Sequence, residues 1–274
     1  MDYCSDFIDG IRRQTDRGFD VLFMNDAVDD LPALPDRTVV LQATGTPFRN
    51  RLQTIRYAME NGYDYLCWLD LDDSMPENRL ERIRALLSSD RTADLLIHDL
   101  WIMDENGVRT GERFIGSYRE KIGLEDLLFY NCAGFGNTVA RVEALRPVYG
   151  IAQDLAEDPE AADWWLFVML LLQGGSARYT DEALYDYRIY TGNMSGGSRE
   201  AAAVQKRVGI ILHHYRLLGS MLDDGLSPEQ KEQKDIYIQR LEEMKQDPGR
   251  FQVRDRSGCL WWEDIYRAAG TNKE

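Results

Sequence analysis

Paired cysteines, histidines and long apolar runs are scarce in this chain. Its four cysteines (Cys4, Cys67, Cys132 and Cys259) form no C-x-x-C pair, which argues against a structural zinc site and a disulfide framework. No segment approaches the roughly 20 uninterrupted apolar residues of a membrane-spanning helix. The first residues also lack the basic and apolar regions of a signal peptide. We therefore expect a soluble protein of a reducing, cytosolic compartment.

Basic residues are also in deficit. The chain of 274 residues has 47 acidic against 32 basic side chains and a formal net charge of −15. This charge opposes binding to a phosphate backbone or to an anionic membrane surface by electrostatics alone. Nucleic acid is thus excluded as an expected partner. The length fits one large α/β domain, or a domain with a helical tail.

The most informative feature that is present is a carboxylate cluster. An apolar segment that begins at Tyr65 ends in Asp70, Asp72 and Asp73. Like charges at this spacing repel one another unless a hard divalent cation with oxygen ligands is bound there. Mg²⁺ or Mn²⁺ is the expected ion, together with a phosphate-containing ligand that completes its coordination. The alternative is a solvated acidic turn.

Strand and helix patterns alternate through the first hundred residues. Strands are predicted at 19–24, at 38–42, from Tyr65 and at 94–98, with helices between them. This alternation predicts a parallel sheet covered by helices on both faces. Ligands of such sheets bind beyond the carboxyl ends of the strands. Asp26 and the Asp70 to Asp73 cluster follow two of these strands, so we expect them to line one pocket.

One further carboxylate lies in a strongly apolar helix predicted for 161–172. Asp163 is in the first turn of this helix. A carboxylate there complements the helix dipole, and in a cleft it is also a natural general base. Both interpretations remain open from the residues alone.

Taken in order, four stretches make the chain resemble family 2 of the inverting glycosyltransferases, which have the GT-A fold. The resemblance covers about residues 1–197 and implies a mostly parallel, Rossmann-like α/β sheet flanked by helices. Residues 198–274 are then a C-terminal helical extension. The four stretches are Arg49-Asn50; Trp68-Leu69-Asp70-Leu71-Asp72-Asp73 with Met75-Pro76 and Leu80; Ala162-Asp163-Trp164-Trp165 with Gln173-Gly174-Gly175; and Tyr187-Arg188-Ile189-Tyr190-Thr191-Gly192-Asn193-Met194-Ser195.

The resemblance also implies a role for each matched residue. Asp26 would contact the nucleotide base, Asp70 the ribose, and Asp72 a Mn²⁺ or Mg²⁺ ion that bridges the donor's phosphates. Asp73 would organise the loop. Asp163 would be the catalytic base. Arg49 and Arg188 would lie on the donor side, Arg188 beside the diphosphate. For Arg188 the alternative is a salt bridge to Asp186 or Asp181.

The activity implied is transfer of a sugar from a nucleoside-diphosphate sugar, with UDP as the first expectation. The acceptor would be a hydroxyl of a glycan or a lipid-linked glycan, in cell-surface polysaccharide or lipopolysaccharide synthesis. Such a role also implies peripheral attachment at the inner face of the membrane. The sequence departs from the family at two points. The family's first strand is missing, and Tyr190 stands where many relatives have a metal-binding histidine.

The sequence predicts two amphipathic helices in the C-terminal extension, followed by an aromatic segment. The helices are expected to pack on the rest of the chain, with a dimer interface or a contact to a lipid carrier as alternatives. The pair His213-His214 is expected on a helix surface. Trp261 and Trp262 either dock as part of a short apolar helix or offer a platform to a sugar.

Two other functional classes remain open. Asp70-Leu71-Asp72 also suits a haloacid-dehalogenase-like phosphatase, in which the first aspartate is the nucleophile. That family expects Gly-Thr or Gly-Val where this chain has Asp73-Ser74. The third class is a GT-A-like domain that binds nucleotide or glycan without turnover.

Overall fold

A computed structural model describes residues 3–26, 28–89, 92–190, 200–253 and 260–270. Strands and helices alternate in the first two thirds, and helices dominate the remainder. In chain order the elements are α1 (Tyr3–Arg12), β1 (Val21–Asn25), β2 (Thr38–Gln42), α2 (Pro47–Glu60), β3 (Tyr65–Cys67), α3 (Arg79–Ser89), β4 (Leu95–Met103), β5 (Arg109–Arg113), β6 (Lys121–Ile122), β7 (Thr138–Arg141), α4 (Val142–Gln153), α5 (Ala162–Leu172), β8 (Ala177–Arg188), α6 (Ala201–Gly225), α7 (Pro228–Gln246) and α8 (Glu263–Ala268).

The larger sheet has the strand order β3-β7-β4-β8-β6, and β5 pairs with β4. β4 is almost wholly buried because helices cover both faces of the sheet around it. β4 and β8 run parallel, whereas β7 is antiparallel to both β3 and β4. The α/β class with a central sheet flanked by helices is confirmed. Strand directions are more mixed than expected, because the chain forms a hairpin between β4 and β5 and inserts β7 in the opposite direction.

β1 and β2 form a separate parallel pair. Among the described residues, β1 pairs with β2 and β3 pairs with β7, and no backbone hydrogen bond joins β1 to β3. Contacts with the helices α2 and α1 hold the two sheets together. α2 contacts both β1 and β3, and apolar side chains of α1 pack around Met75 together with Val21 and Leu69.

Two of the helices begin at well-defined caps. The hydroxyl of Thr46 accepts a hydrogen bond from the N–H of Arg49, and Pro47 occupies the first turn of α2. Ser227 and Gln230 form a capping box at the start of α7. A kink at Gly219, where φ is +50°, divides α6.

The C-terminal helices belong to the same hydrophobic core as the sheet. Trp164 of α5 stacks on His214 with ring centroids 4.0 Å apart and on Trp262 at 6.3 Å. Docking of the aromatic segment is confirmed, since Trp261 and Trp262 are buried. The prediction of a surface position for the histidine pair is wrong for His214, which is buried because the Trp164 ring covers it.

The predicted boundary between residues 197 and 198 lies outside the described residues, as does the Asn193-Met194-Ser195 motif. The division into two domains stays a prediction. None of the helices that the structure describes is long and apolar enough to cross a membrane.

Candidate functional site

The carboxylate cluster lies on the turn that follows β3. Asp70 and Asp72 are partly exposed, whereas Asp73 is buried. The N–H of Asp73 donates to the carbonyl of Asp70 over 3.3 Å. Ser74 then pairs with Asp186 of β8 through two backbone hydrogen bonds of 3.1 and 2.9 Å. The turn therefore presents two carboxylates outward and is fastened to the centre of the sheet.

The buried side chain of Asp73 holds this turn against β8. Its Oδ1 accepts the backbone N–H of Arg188 over 2.7 Å. Burial raises the pKa of Asp73 well above its usual range, although this hydrogen bond opposes the rise, and the neighbouring Asp70 and Asp72 raise it further. Asp73 thus organises the loop, as the resemblance implied, and it is too buried to bind a ligand directly.

Asp72 is oriented by Tyr190. The Tyr190 hydroxyl donates to Oδ2 of Asp72 over 2.8 Å. This hydrogen bond, with burial, raises the pKa of Tyr190 to about 12. The phenol therefore remains a neutral donor at ordinary pH, and its hydrogen bond orients the Asp72 carboxylate.

Arg188 lies under the same turn and is buried. Its Nε donates to the backbone carbonyl of Asp72 over 2.6 Å, and Nη1 donates to that of Glu105 over 3.1 Å. The guanidinium also stacks on the ring of Tyr3 at 4.3 Å. Asp186, one of its two suggested partners, forms an ion pair with Arg109 at 2.8 Å. These contacts give Arg188 a clear role in shaping the turn; its contact with a donor diphosphate stays a prediction.

Arg49 likewise forms an ion pair and hydrogen bonds within the protein. Its guanidinium forms an ion pair with Asp158 at 2.6 Å. It also donates to the carbonyls of Gln153 and Leu155 over 3.0 and 2.7 Å. Arg49 therefore holds the loop that leads from α4 to α5, the helix with Asp163. These contacts favour a structural role, and its place in donor binding remains untested.

Asp163 lies in the first turn of α5 and is partly buried. Its Oδ1 accepts the N–H of Trp164 over 2.7 Å, as expected for a carboxylate at a helix N-terminus. Burial raises the pKa of Asp163 to about 6, and the charge of Asp70 raises it while that of Arg51 lowers it. Asp163 and Asp70 are therefore close enough to influence each other, so the structure brings these two predicted residues together.

Asp26 is not brought to the cluster in the same way. It lies exposed just after β1, in the separate two-stranded sheet. Within the described residues no hydrogen bond or ion pair joins it to Asp70, Asp72 or Asp163. The neighbouring Asn25 side chain orders the loop, donating to Gln42 over 3.3 Å and to the carbonyl of Val28 over 2.9 Å. Convergence of the two strand ends on one pocket stays a prediction.

Two residues of the site were missed by sequence reasoning. Arg51 forms an ion pair with Asp70, and the buried Tyr185 hydroxyl accepts the N–H of Asp70 over 3.1 Å. Neither position had a local signal, because Arg51 is one of several charged residues of α2 and Tyr185 is one of three tyrosines of β8. Each reaches the site only through contacts between distant parts of the chain.

The partly exposed carboxylates Asp70 and Asp72 are hard oxygen donors suited to Mg²⁺ or Mn²⁺. Within the described ranges, no group of three or more histidine, cysteine, aspartate or glutamate side chains is arranged to hold a metal ion. A site with one or two protein carboxylates fits an ion that takes its other ligands from water and substrate phosphates.

The chain shares its overall fold with solved structures of other proteins at low identity. TarS residues 1–349 of S. aureus in complex with UDP-GlcNAc align over 92% of this chain and 91% of TarS, with a TM-score of 0.56 and 15% identity. The complex of TarS 1–349 with UDP gives a TM-score of 0.53 at 13% identity over 92% and 90% of the two chains.

A mannosyltransferase shares the fold as well. PcManGT from Pyrobaculum calidifontis, in complex with GDP-Man and Mn²⁺, aligns over 98% of this chain and 70% of its own, with a TM-score of 0.50 and 13% identity. No protein-family model matches the sequence, and no curated protein matches it. At these identities the likeness shows the fold, a GT-A-like arrangement found in proteins that bind nucleotide sugars.

Proposed function

We propose that this chain is an inverting, metal-dependent glycosyltransferase of the family 2 type that uses a nucleoside-diphosphate sugar. The observation that carries the proposal is the electrostatic interaction between Asp70 and Asp163, with Asp72 on the same turn as Asp70. Asp70 and Asp72 are partly exposed on the turn after β3, and Asp163 has a pKa raised to about 6. The shared fold with proteins bound to UDP-GlcNAc and to GDP-Man supports it.

In this proposal Asp72 holds Mn²⁺ or Mg²⁺ together with the donor's diphosphate, and Asp70 contacts the ribose. Asp26 accepts a hydrogen bond from the nucleotide base. The cation, when bound, offsets the negative charge that develops on the departing diphosphate. Arg49 and Arg188 support the donor side by fixing the α4–α5 loop and the turn after β3.

Asp163 is the proposed general base. It takes the proton of an acceptor hydroxyl while that oxygen bonds to the anomeric carbon of the sugar. The bond from this carbon to the diphosphate oxygen breaks on the opposite side, so the configuration inverts. A base is most effective when its pKa lies near the working pH, and the raised pKa of Asp163 moves it in that direction.

The acceptor and the cellular setting are proposed from the resemblance to family 2 of the inverting glycosyltransferases. We propose a glycan or lipid-linked glycan acceptor in cell-surface polysaccharide or lipopolysaccharide synthesis, at the cytoplasmic side of a membrane. The structural neighbours are bound to UDP and to GDP-Man, which makes UDP and GDP the first nucleotides to examine. The exposed faces of α6 and α7 are proposed as the site of any self-association.

A binding module without turnover is the second candidate. It is favoured by the break between β1 and β3, which separates Asp26 from the other site residues. The phosphatase alternative has lost support, because two proteins that share this fold are bound to nucleotide sugars.

Thermal melting with a panel of nucleoside diphosphates tests the donor site. Each nucleotide is added with Mn²⁺, with Mg²⁺ and with chelator to the wild type, to Asp72→Asn and to Glu143→Gln. Glu143 is a matched control because it is 73% exposed on α4. A ligand that binds only the folded state raises its stability by mass action.

The proposal expects a metal-dependent rise for at least one nucleotide that Asp72→Asn abolishes and Glu143→Gln retains. No rise with any nucleotide would overturn the donor site. A rise without any transfer or hydrolysis of the matching nucleotide sugar, across a panel of glycan acceptors, would favour the binding module.

A further inference from the structure

Arg51 of α2 connects separate parts of the candidate site. Its Nη2 forms an ion pair with Oδ1 of Asp70, and the Arg51 side chain is 27% exposed. The guanidinium carbon lies 4.8 Å from the centroid of the Phe135 ring. A guanidinium is well suited to this position because it stacks on an aromatic face and donates hydrogen bonds in its own plane.

The Phe135 ring links this position to the two elements that hold the site carboxylates. It packs against Trp68, two residues before Asp70, with centroids 5.1 Å apart. It also packs against Phe167, one helical turn after Asp163, at 5.8 Å. Arg51 thus rests on a ring that contacts both the end of the β3 segment and α5.

Asp70 is held from two sides as a result. Arg51 binds its Oδ1, and the hydroxyl of Tyr185 accepts its backbone N–H over 3.1 Å. Among the described residues, Oδ2 of Asp70 has no hydrogen-bond or ion-pair partner. The ion pair therefore fixes the carboxylate plane while one oxygen stays available to a ligand hydroxyl.

Arg51 also opposes the negative charge around Asp163. The charged side chains that act on Asp163 are Asp70, from the turn after β3, and Arg51, from α2. Asp70 disfavours the ionised carboxylate of Asp163, whereas Arg51 favours it. Loss of the arginine would leave two neighbouring carboxylates without this compensation.

We propose that Arg51 is a positioning residue of the transfer reaction, holding Asp70 for the donor's ribose and offsetting the negative charge beside Asp163. This inference rests on the proposed function. It assigns to α2 an electrostatic role that its sequence does not reveal.

Three variants of α2 separate charge from geometry. Arg51→Gln removes the charge, Arg51→Lys keeps the charge but loses the planar fork, and Arg56→Gln is the control. Arg56 is 58% exposed on the same helix and pairs with Glu60. The titration of Asp163 is followed by NMR of the ¹³C-labelled aspartate carboxyl carbons, with Asp163→Asn to identify its signal. Nucleotide affinity is measured by calorimetry with UDP and with GDP in the presence of Mn²⁺.

We expect the midpoint of the Asp163 titration to rise by roughly half a pH unit to one unit in Arg51→Gln and to stay near the wild-type value in Arg51→Lys. Nucleotide affinity should fall about tenfold in both Arg51 variants, because each loses the planar guanidinium that binds Asp70. Arg56→Gln should change neither quantity.

An unchanged titration and an unchanged affinity in Arg51→Gln would overturn the inference. A wild type that binds neither nucleotide, with the titration midpoint still raised in Arg51→Gln, would instead overturn the proposed function. The link between Arg51 and Asp163 would then stand by itself.

Discussion

Gly136 lies directly against the ring of Tyr185. A Cβ atom at Gly136 would stand 2.4 Å from Cε1 of that ring, well inside van der Waals contact. The Tyr185 hydroxyl in turn accepts the N–H of Asp70 over 3.1 Å. The absence of a side chain at Gly136 is therefore what allows Tyr185 to reach the carboxylate turn.

Gly136→Ala should displace the Tyr185 ring and disturb the turn that holds Asp70. We expect a loss of about 1–3 kcal/mol in the free energy of unfolding, as for other overpacked sites, together with weaker nucleotide binding. Gly150→Ala in α4 is the control, because no heavy atom lies within 4 Å of its Cβ. It should stabilise the helix by about 0.5–1 kcal/mol. Urea unfolding measures both, and wild-type stability in Gly136→Ala would contradict the prediction.

Asp163→Asn should stabilise the protein at neutral pH. The folded pKa of Asp163 is raised to about 6, so the native state binds its proton more tightly than the unfolded chain. Ionisation of Asp163 therefore lowers the free energy of unfolding as the pH rises from about 4 to about 6. Above that range the loss of stability remains constant. We expect the variant to gain about 1–2 kcal/mol at pH 7.5 and almost nothing at pH 4. Glu160→Gln, on the preceding loop, is the control; an Asn variant less stable than wild type at pH 7.5 would refute the account.

The same pKa sets the acid side of the pH–rate profile. Below about pH 6 the Asp163 carboxylate takes up a proton and can no longer accept one from the acceptor hydroxyl. The transfer rate should fall roughly tenfold per pH unit there, while nucleotide affinity changes less. Asp163→Asn should lose turnover and keep nucleotide binding. A rate independent of pH between 4.5 and 7 would argue for another base.

Tyr190→Phe should weaken metal-dependent nucleotide binding. The variant removes the 2.8 Å hydrogen bond that orients Asp72. Partners that orient a metal ligand typically contribute about 10- to 100-fold to metal affinity, and we expect the lower end of that range at this partly exposed site. Titration of Mn²⁺ in the presence of nucleotide measures the effect. Tighter Mn²⁺ binding by the variant would show that Tyr190 competes with the ion.

The buried ion pair between Arg207 and Asp264 should be required for docking of α8. Arg207→Met leaves Asp264 as an uncompensated buried charge, which typically costs about 3–5 kcal/mol. The double variant Arg207→Met/Asp264→Leu removes both charges and should recover most of this loss. Chemical unfolding of the single and double variants tests the pair. Equal losses in the two would show that packing around Arg207 matters more than its charge.

Local patterns in the sequence were sufficient to predict most helices and strands and the two acidic positions at element ends. Asp70 and Asp163 could be found because each interrupts an apolar segment at the point where a strand ends or a helix begins. Arg51 and Tyr185 could not be found in this way, since their roles depend on contacts with residues far away in the chain. For the same reason the contact of Arg49 with the α4–α5 loop could not be predicted.

Strand direction was predicted less well than strand position. β7, a run of four residues that was not among the predicted strands, lies antiparallel to both β3 and β4. The C-terminal aromatic residues were predicted to dock, yet their partner Trp164 in α5 could not be inferred from helical periodicity alone, because α5 is apolar on all sides.

The break between the two sheets leaves β1 with its backbone hydrogen bonds on one side. The N–H of Val21 and the carbonyl of Asn25 are bonded toward β2, at 3.1 and 2.8 Å, so alternation along the strand directs the groups of Leu22 and Met24 the other way. Amide hydrogens at these two residues should exchange with solvent much faster than that of Phe23. A ligand that contacts Asp26 would therefore bind the least protected part of the fold, and its affinity would include the entropic cost of ordering that part.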